Sequence, residues 1–167
     1  MPLFIDYRIT PKRYIMSPLD QDFMNRALRE AEKAGQNGEV PIGAILVADD
    51  ETIISAAHNR TIDLADPTAH AEILALREAA LKINNYRLLN TTLYVTVEPC
   101  IMCMGAIVHA RVARLVFGAK DPKWGAAGSL YHFGADDRLN HRVAVTGGIR
   151  ERECRSLMQE FFRAKRI

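Results

Sequence analysis

The sequence predicts an α/β fold: a three-layer α/β/α sandwich around a central mixed sheet of about five strands. Three observations predict it. Short apolar or β-branched runs alternate with longer stretches of helical periodicity, the pattern of a sheet covered by helices. Several of the short runs are apolar almost throughout, as strands buried on both faces are. Across 167 residues the apolar set is 49% and the charged set 25%, ordinary values for a globular chain with a sizeable core.

The elements follow in order. Residues 1–16 mix Pro, Tyr, Arg and apolar residues without a period and read as an N-terminal extension, with Met16 a second candidate start; residues 17–167 read as one domain. Ser17-Pro18 supplies an N-cap and a first-turn proline. Phe23, Ala27, Ala31 and Ala34 then recur at near-helical spacing up to Gly35. Residues 40–48 read as a buried strand, and 52–56 return as its hairpin partner after Asp49-Asp50-Glu51. Asp66-Pro67-Thr68 predicts the start of a helix that runs to Leu81. A strand is expected over 92–97, a short helix over 101–110, strands over 114–117 and 143–146, and a helix over 151–165. The stretch from Gly118 to His141, rich in Gly, Ala and Asp, reads as a long functional loop.

Charge and cysteine content bound the function. Lys+Arg total 22 against 20 Asp+Glu, a formal charge of +2, so the chain is neither a polycation nor an acidic tail. No apolar run approaches the roughly 18 residues that span a bilayer, and the first residues lack the pattern of a signal peptide. Three cysteines cannot all pair within one chain, so a reducing, cytoplasmic setting with a metal or catalytic use of cysteine is expected.

The chemistry concentrates in His70-Ala71-Glu72, Glu98-Pro99-Cys100 and Cys103. A lone C-x-x-C is a weak signal, and a structural zinc site would need four protein ligands. No second C-x-x-C is present, and Cys154 reads as a packing residue. Two thiolates and one imidazole make a three-ligand set with a position left for water, the arrangement of catalytic zinc. Cys100 and Cys103 fall at the start of a helix, whose dipole favours thiolate, and positions three apart share a face. His70 and Glu72 are expected in the first turn of their helix, where Glu72 is a poor ligand but a suitable proton shuttle.

His-x-Glu followed by Pro-Cys-x-x-Cys is the known signature of zinc deaminases. Beyond the motif, Glu39-Val40-Pro41-Ile42-Gly43-Ala44, Asn59-Arg60, Phe117-Gly118-Ala119, Gly125-Ala126-Ala127-Gly128-Ser129-Leu130, Asn140-His141-Arg142 and Phe161-Phe162 carry a wider likeness. Over residues 18–166 the chain resembles the bacterial tRNA-specific adenosine deaminases, a branch of the zinc-dependent cytidine/deoxycytidylate deaminase superfamily. The resemblance implies a cytidine deaminase-like fold and hydrolytic conversion of adenosine to inosine at the wobble position of a tRNA anticodon, in an arginine tRNA, with release of ammonia. It implies one zinc ion per subunit on His70, Cys100 and Cys103, with Glu72 as general acid/base. Asn59 matches a position that bonds the flipped base, and the backbone of Ala71 is expected to donate to the attacking water or oxyanion. Asp121 and Lys123 match an RNA-contacting segment, and Asn140, His141, Phe162 and Arg166 match positions associated with the anticodon loop. Asn59 has a plainer alternative as a turn residue, and Asp121, Lys123 and Arg166 as solvated charges. His109 and His132 read as structural or exposed, and Trp124 stands where the family has a smaller residue. The resemblance also implies a homodimer and a tRNA anticodon stem-loop as partner, with no membrane. The competing readings are a deaminase of a free base or nucleoside (cytosine, cytidine or guanine) and a zinc-stabilised RNA-binding module without catalysis.

Overall fold

Alternate residues of each inner strand face opposite helical layers, and this sorting builds the molecule. A computed structural model describes residues 17–166; residues 1–16, where the extension was expected, and residue 167 lie outside the described residues. The elements are α1 (Pro18–Gln36), β1 (Gly43–Ala48), β2 (Ile53–His58), α2 (Ala71–Ile83), β3 (Thr91–Val97), α3 (Ile101–His109), β4 (Arg114–Ala119), β5 (Ala144–Gly147) and α4 (Glu151–Ala164). The sheet order is β2-β1-β3-β4-β5. β1 pairs antiparallel with β2 and β3, whereas β3–β4 and β4–β5 are parallel, so the sheet is mixed as expected. Ala44, Leu46, Leu93, Val95, Leu115 and Phe117 pack with Ala75 and Leu76 of α2 and Met104 and Ile107 of α3. Their neighbours Ile45, Val47, Tyr94 and Val116 pack on the other face with Met24 and Ala27 of α1 and Cys154 of α4. The period-2 alternation of a strand thus fills two cores at once.

The first helix begins as the sequence predicts. Ser17 forms a capping box with Asp20, and Pro18 follows it. Asp20 has a second role that no local pattern announces. Buried at 1% exposure, it accepts two bonds from Arg114 (2.7 and 2.9 Å) and one from the Tyr94 hydroxyl (2.8 Å). This pins the start of α1 to β3 and β4. At Gly43 the backbone of α1 passes so close that an added Cβ would lie 2.1 Å from the Ala27 carbonyl oxygen. Only glycine permits that approach.

Two boundaries depart from expectation. The strand expected over 40–48 begins at Gly43, because Ile42 N–H turns back to the Val40 carbonyl (2.8 Å) and Pro41 has no N–H to pair. The helix expected from 66 begins at Ala71. Asp66 accepts from Thr68 N (2.8 Å) and Thr68 Oγ1 (2.7 Å), closing a side-chain turn that occupies the apparent cap. His70 is therefore the N-cap of α2, outside its first turn, and Glu72 lies two residues behind it. Parallel β4 and β5 are joined across 120–143 with no named element, so the long loop itself makes the crossover.

Candidate metal centre and active site

Two helix starts converge here. The N-cap of α2 is His70 and the N-cap of α3 is Cys100, and neither side chain caps its own helix. Both are thus free to face one another across the helix ends. His70 Nδ1 lies 3.7 Å from Cys100 Sγ and 3.5 Å from Cys103 Sγ, and the three donor atoms all lie within 4.8 Å of one another. A tetrahedral zinc with ordinary Zn–S and Zn–N bonds would hold its N and S donors about 3.6 Å apart. The three residues therefore fit the ion without rearrangement. The donor set is borderline-soft and carries two ionisable thiols, the chemistry zinc selects.

The electrostatics of the three donors set the two sulfurs apart. Hydrogen bonds from Cys103 and His70 draw the Cys100 thiol down to about 4. Cys103 moves the other way, raised by the adjacent Cys100 sulfur and by burial. The Cys100 sulfur also raises His70, against the opposing effect of burial. The negative charge thus falls on Cys100, with Cys103 as its hydrogen-bond donor, and a divalent ion would let both ionise.

Glu72 completes the centre. It is 3% exposed, its carboxylate lies against the Cys103 sulfur, and its Oε2 has no hydrogen-bond partner. Burial pushes its carboxyl up to about 7. An unpartnered buried carboxylate oxygen beside a ligand cluster fits a group that exchanges protons with a bound water.

Asn59 and Ala71 form a pair that the sequence did not foresee. The Ala71 N–H, expected to donate to the reacting oxygen, donates to Asn59 Oδ1 at 2.8 Å. The first amide of α2 thus anchors Asn59 beside His70. Asn59 is buried, and Nδ2 is the half of its amide that this bond leaves over.

The remaining expected residues make local contacts of their own. Asp121 Oδ1 accepts from the amides of Lys123 (2.9 Å) and Trp124 (3.1 Å), so it shapes its own turn, while the Lys123 side chain is exposed. Asn140 accepts from Arg111 (2.9 Å), and His141 Nε2 lies 2.7 Å from the Val112 carbonyl oxygen. Both residues are thereby tied to the turn after α3. Phe162 stacks edge-on against Phe161, and Arg166 is exposed at the end of α4. Lys165 Nζ reaches the Gly38 carbonyl (3.0 Å), next to Glu39, joining the end of α4 to this side of the fold. His109 and His132 are exposed and Cys154 is buried, as expected.

Two carboxylates went unread in the sequence. Buried Glu39 accepts from the amides of Ile62 (2.9 Å) and Asp63 (2.8 Å) and fixes the loop that follows Asn59. Glu98, immediately before the Pro-Cys step, does the same for the loop beyond Asp121. The only available signal was the run Gly125-Ala126-Ala127-Gly128-Ser129, whose backbone amides can gather around an anion.

Comparison with known proteins bears on these features together. Residues 17–119 match the model of the cytidine and deoxycytidylate deaminase zinc-binding region. The tRNA-specific adenosine deaminase of Haemophilus influenzae is 52% identical over 152 residues, 91% of this chain and 88% of that protein. A solved structure from a study of A-to-I editing by tRNA:A34 deaminases superposes with a TM-score of 0.78 at 46% identity, covering 81% of this chain and 98% of that one. A guanine deaminase structure from Bacillus subtilis is more distant, with a TM-score of 0.59 at 35% identity over 68% of this chain and 71% of that one.

Proposed function

The chain belongs to the tRNA-specific adenosine deaminases, within the zinc-binding cytidine and deoxycytidylate deaminases, and on that premise we infer that it converts adenosine to inosine at the wobble position of a tRNA anticodon. It is a zinc-dependent hydrolytic enzyme. The observation that carries the reading is the cluster of His70, Cys100 and Cys103 with the unpartnered Glu72 oxygen beside it.

His70, Cys100 and Cys103 hold the ion. Zinc held there supplies Lewis acidity, which makes water acidic enough to lose a proton near neutral pH. Glu72 takes that proton and delivers it to ring N1 as the water oxygen bonds to C6. It then takes the proton of the new C6 hydroxyl and passes it to the exocyclic amine as the C6–N bond breaks, so adenosine and water become inosine and ammonia. Burial of Glu72 keeps these transfers from bulk solvent. Asn59 Nδ2 donates to the base edge, and its oxygen, held by Ala71, fixes the angle of approach.

The substrate is an anticodon loop, in which an unstacked base can enter a pocket while neighbouring phosphates meet placed cations. Lys123 and Arg166 supply charge at the rim, Asp121 shapes the loop that carries Lys123, and Phe162 offers a stacking face. Asn140 and His141 hold the turn after α3. The preferred substrate is an arginine tRNA, and the active form is a cytoplasmic homodimer. No described helix is long and apolar enough to cross a membrane.

Incubation with an anticodon stem-loop carrying adenosine at the wobble position, then nucleoside mass spectrometry, tests the reading. Inosine at that position and none elsewhere is the expected result. Turnover of free cytidine or guanine without turnover of the RNA would replace it with a small-molecule deaminase.

A further inference from the structure

Glu98 is a carboxylate in an unusual position. It follows β3 and precedes Pro99 and Cys100, and its side chain is buried at 3% exposure. No cation pairs with it among the described residues. Its partners are donors of one loop instead. Oε1 accepts from the amides of Ala127 (3.1 Å) and Ser129 (2.8 Å), and Oε2 from the Asp121 amide (3.1 Å) and the Ser129 hydroxyl. Around this clasp the Ala126 amide donates to the Pro99 carbonyl (2.8 Å), and Cys100 and Gly125 form a bridge between the two segments. At Gly125 an added Cβ would lie 2.4 Å from the Glu98 carboxyl carbon and 2.5 Å from the Asp121 carbonyl oxygen. The loop is therefore pressed against the ligand-bearing junction as closely as backbone allows.

The loop so held carries Asp121, Lys123 and Trp124, and it ends in exposed Leu130 and Tyr131. A buried charge gathering four donors orders such a segment, because releasing it leaves a buried carboxylate without partners. We propose that Glu98 is a positioning residue that clasps the 121–129 loop against Cys100 and so sets the register between the zinc centre and the RNA-facing rim. Its effect falls on capture and orientation of the polymeric substrate, not on the proton transfers, which Glu72 performs. The inference rests on the RNA-deaminase reading for its substrate, whereas the clasp itself stands on geometry.

The chain has one tryptophan, Trp124, and it lies 66% exposed in this loop, with its amide on Asp121 Oδ1. Its fluorescence therefore reports the loop without any need for activity. Glu98→Gln keeps the shape but turns one acceptor oxygen into an NH2 facing donors. In the zinc-loaded protein this variant is expected to lower Trp124 anisotropy while leaving zinc content at the wild-type value. On a wobble-adenosine stem-loop its KM should rise about tenfold with kcat within about twofold. Ser129→Ala removes one hydroxyl bond only and should show the same split at about a third of the size. It also decides the matter if Glu98→Gln fails to fold. Unchanged anisotropy and KM in the folded variants, or a fall in kcat with KM unmoved, would overturn the proposal. If the wild type leaves the RNA untouched, the functional reading fails, and the anisotropy still decides whether Glu98 holds the loop.

Discussion

At the scale of single residues, the centre divides sharply into groups that hold and groups that react. Glu72→Ala removes the proton carrier but none of the three donor atoms. Zinc content and thermal midpoint should stay near wild type, while inosine formation falls by about 10²–10⁴-fold. Metal analysis beside a single-turnover assay checks both halves, and retained activity would contradict the role. Asn59 gives a finer test because its two ends do different work. Asn59→Ala loses the acceptor that starts α2, a change worth about 1 kcal/mol in denaturant titration. Asn59→Asp keeps an acceptor for Ala71 and deletes the Nδ2 donor, so it should lose less stability than the alanine variant while KM rises comparably. The ligands and Glu72 were legible in the sequence because zinc and proton transfer admit few residue types at few spacings. Glu98, Glu39 and the Asn59–Ala71 pair were not. Their partners are backbone amides, which every residue but proline carries, so residue identity leaves little trace of them.

At the scale of elements, the Asp20–Arg114–Tyr94 network joins α1 to the middle of the sheet, and it is sensitive to pH. Burial raises the Asp20 carboxyl, but the hydrogen bonds from Arg114 and Tyr94 outweigh it and hold the group below its ordinary value. A carboxyl lowered by folding stabilises the native state above its unfolded pKa of about 4, and that contribution is lost as pH falls through the folded value. Stability measured by urea titration should therefore drop below about pH 4, and Asp20→Asn should flatten that limb. At neutral pH the same variant should also lose stability, because the buried Asp20–Arg114 ion pair is broken. An acid limb as steep in the variant as in wild type would show the dependence to arise elsewhere. Element types were legible from periodicity, and all nine expected elements form. The missed boundaries share one cause: Asp66 and Pro41 carry cap and strand signals that local turn bonds use for something else.

At the scale of the whole molecule, a formal charge of +2 sets limits on how RNA is held. Bulk charge contributes little at that value, so the proposed function relies on a few placed cations and a shaped pocket. For a single-stranded loop each phosphate contact contributes about −0.7 to the slope of log affinity against log salt, so a slope of about −2 to −3 is expected. A slope several times steeper would mean that the chain grips far more backbone than one loop offers. The three-layer architecture was legible because alternate strand residues fill two cores, but the loop over 120–143 was legible only as a loop. Its 121–129 part gathers around buried Glu98, and no periodicity records that. The most direct test of the central claim is mass spectrometry of a tRNA anticodon stem-loop after incubation with the zinc-loaded protein. The account predicts inosine at the wobble adenosine in wild type and its loss in Glu72→Ala; an unmodified wobble adenosine, with free cytidine or guanine deaminated instead, would contradict it.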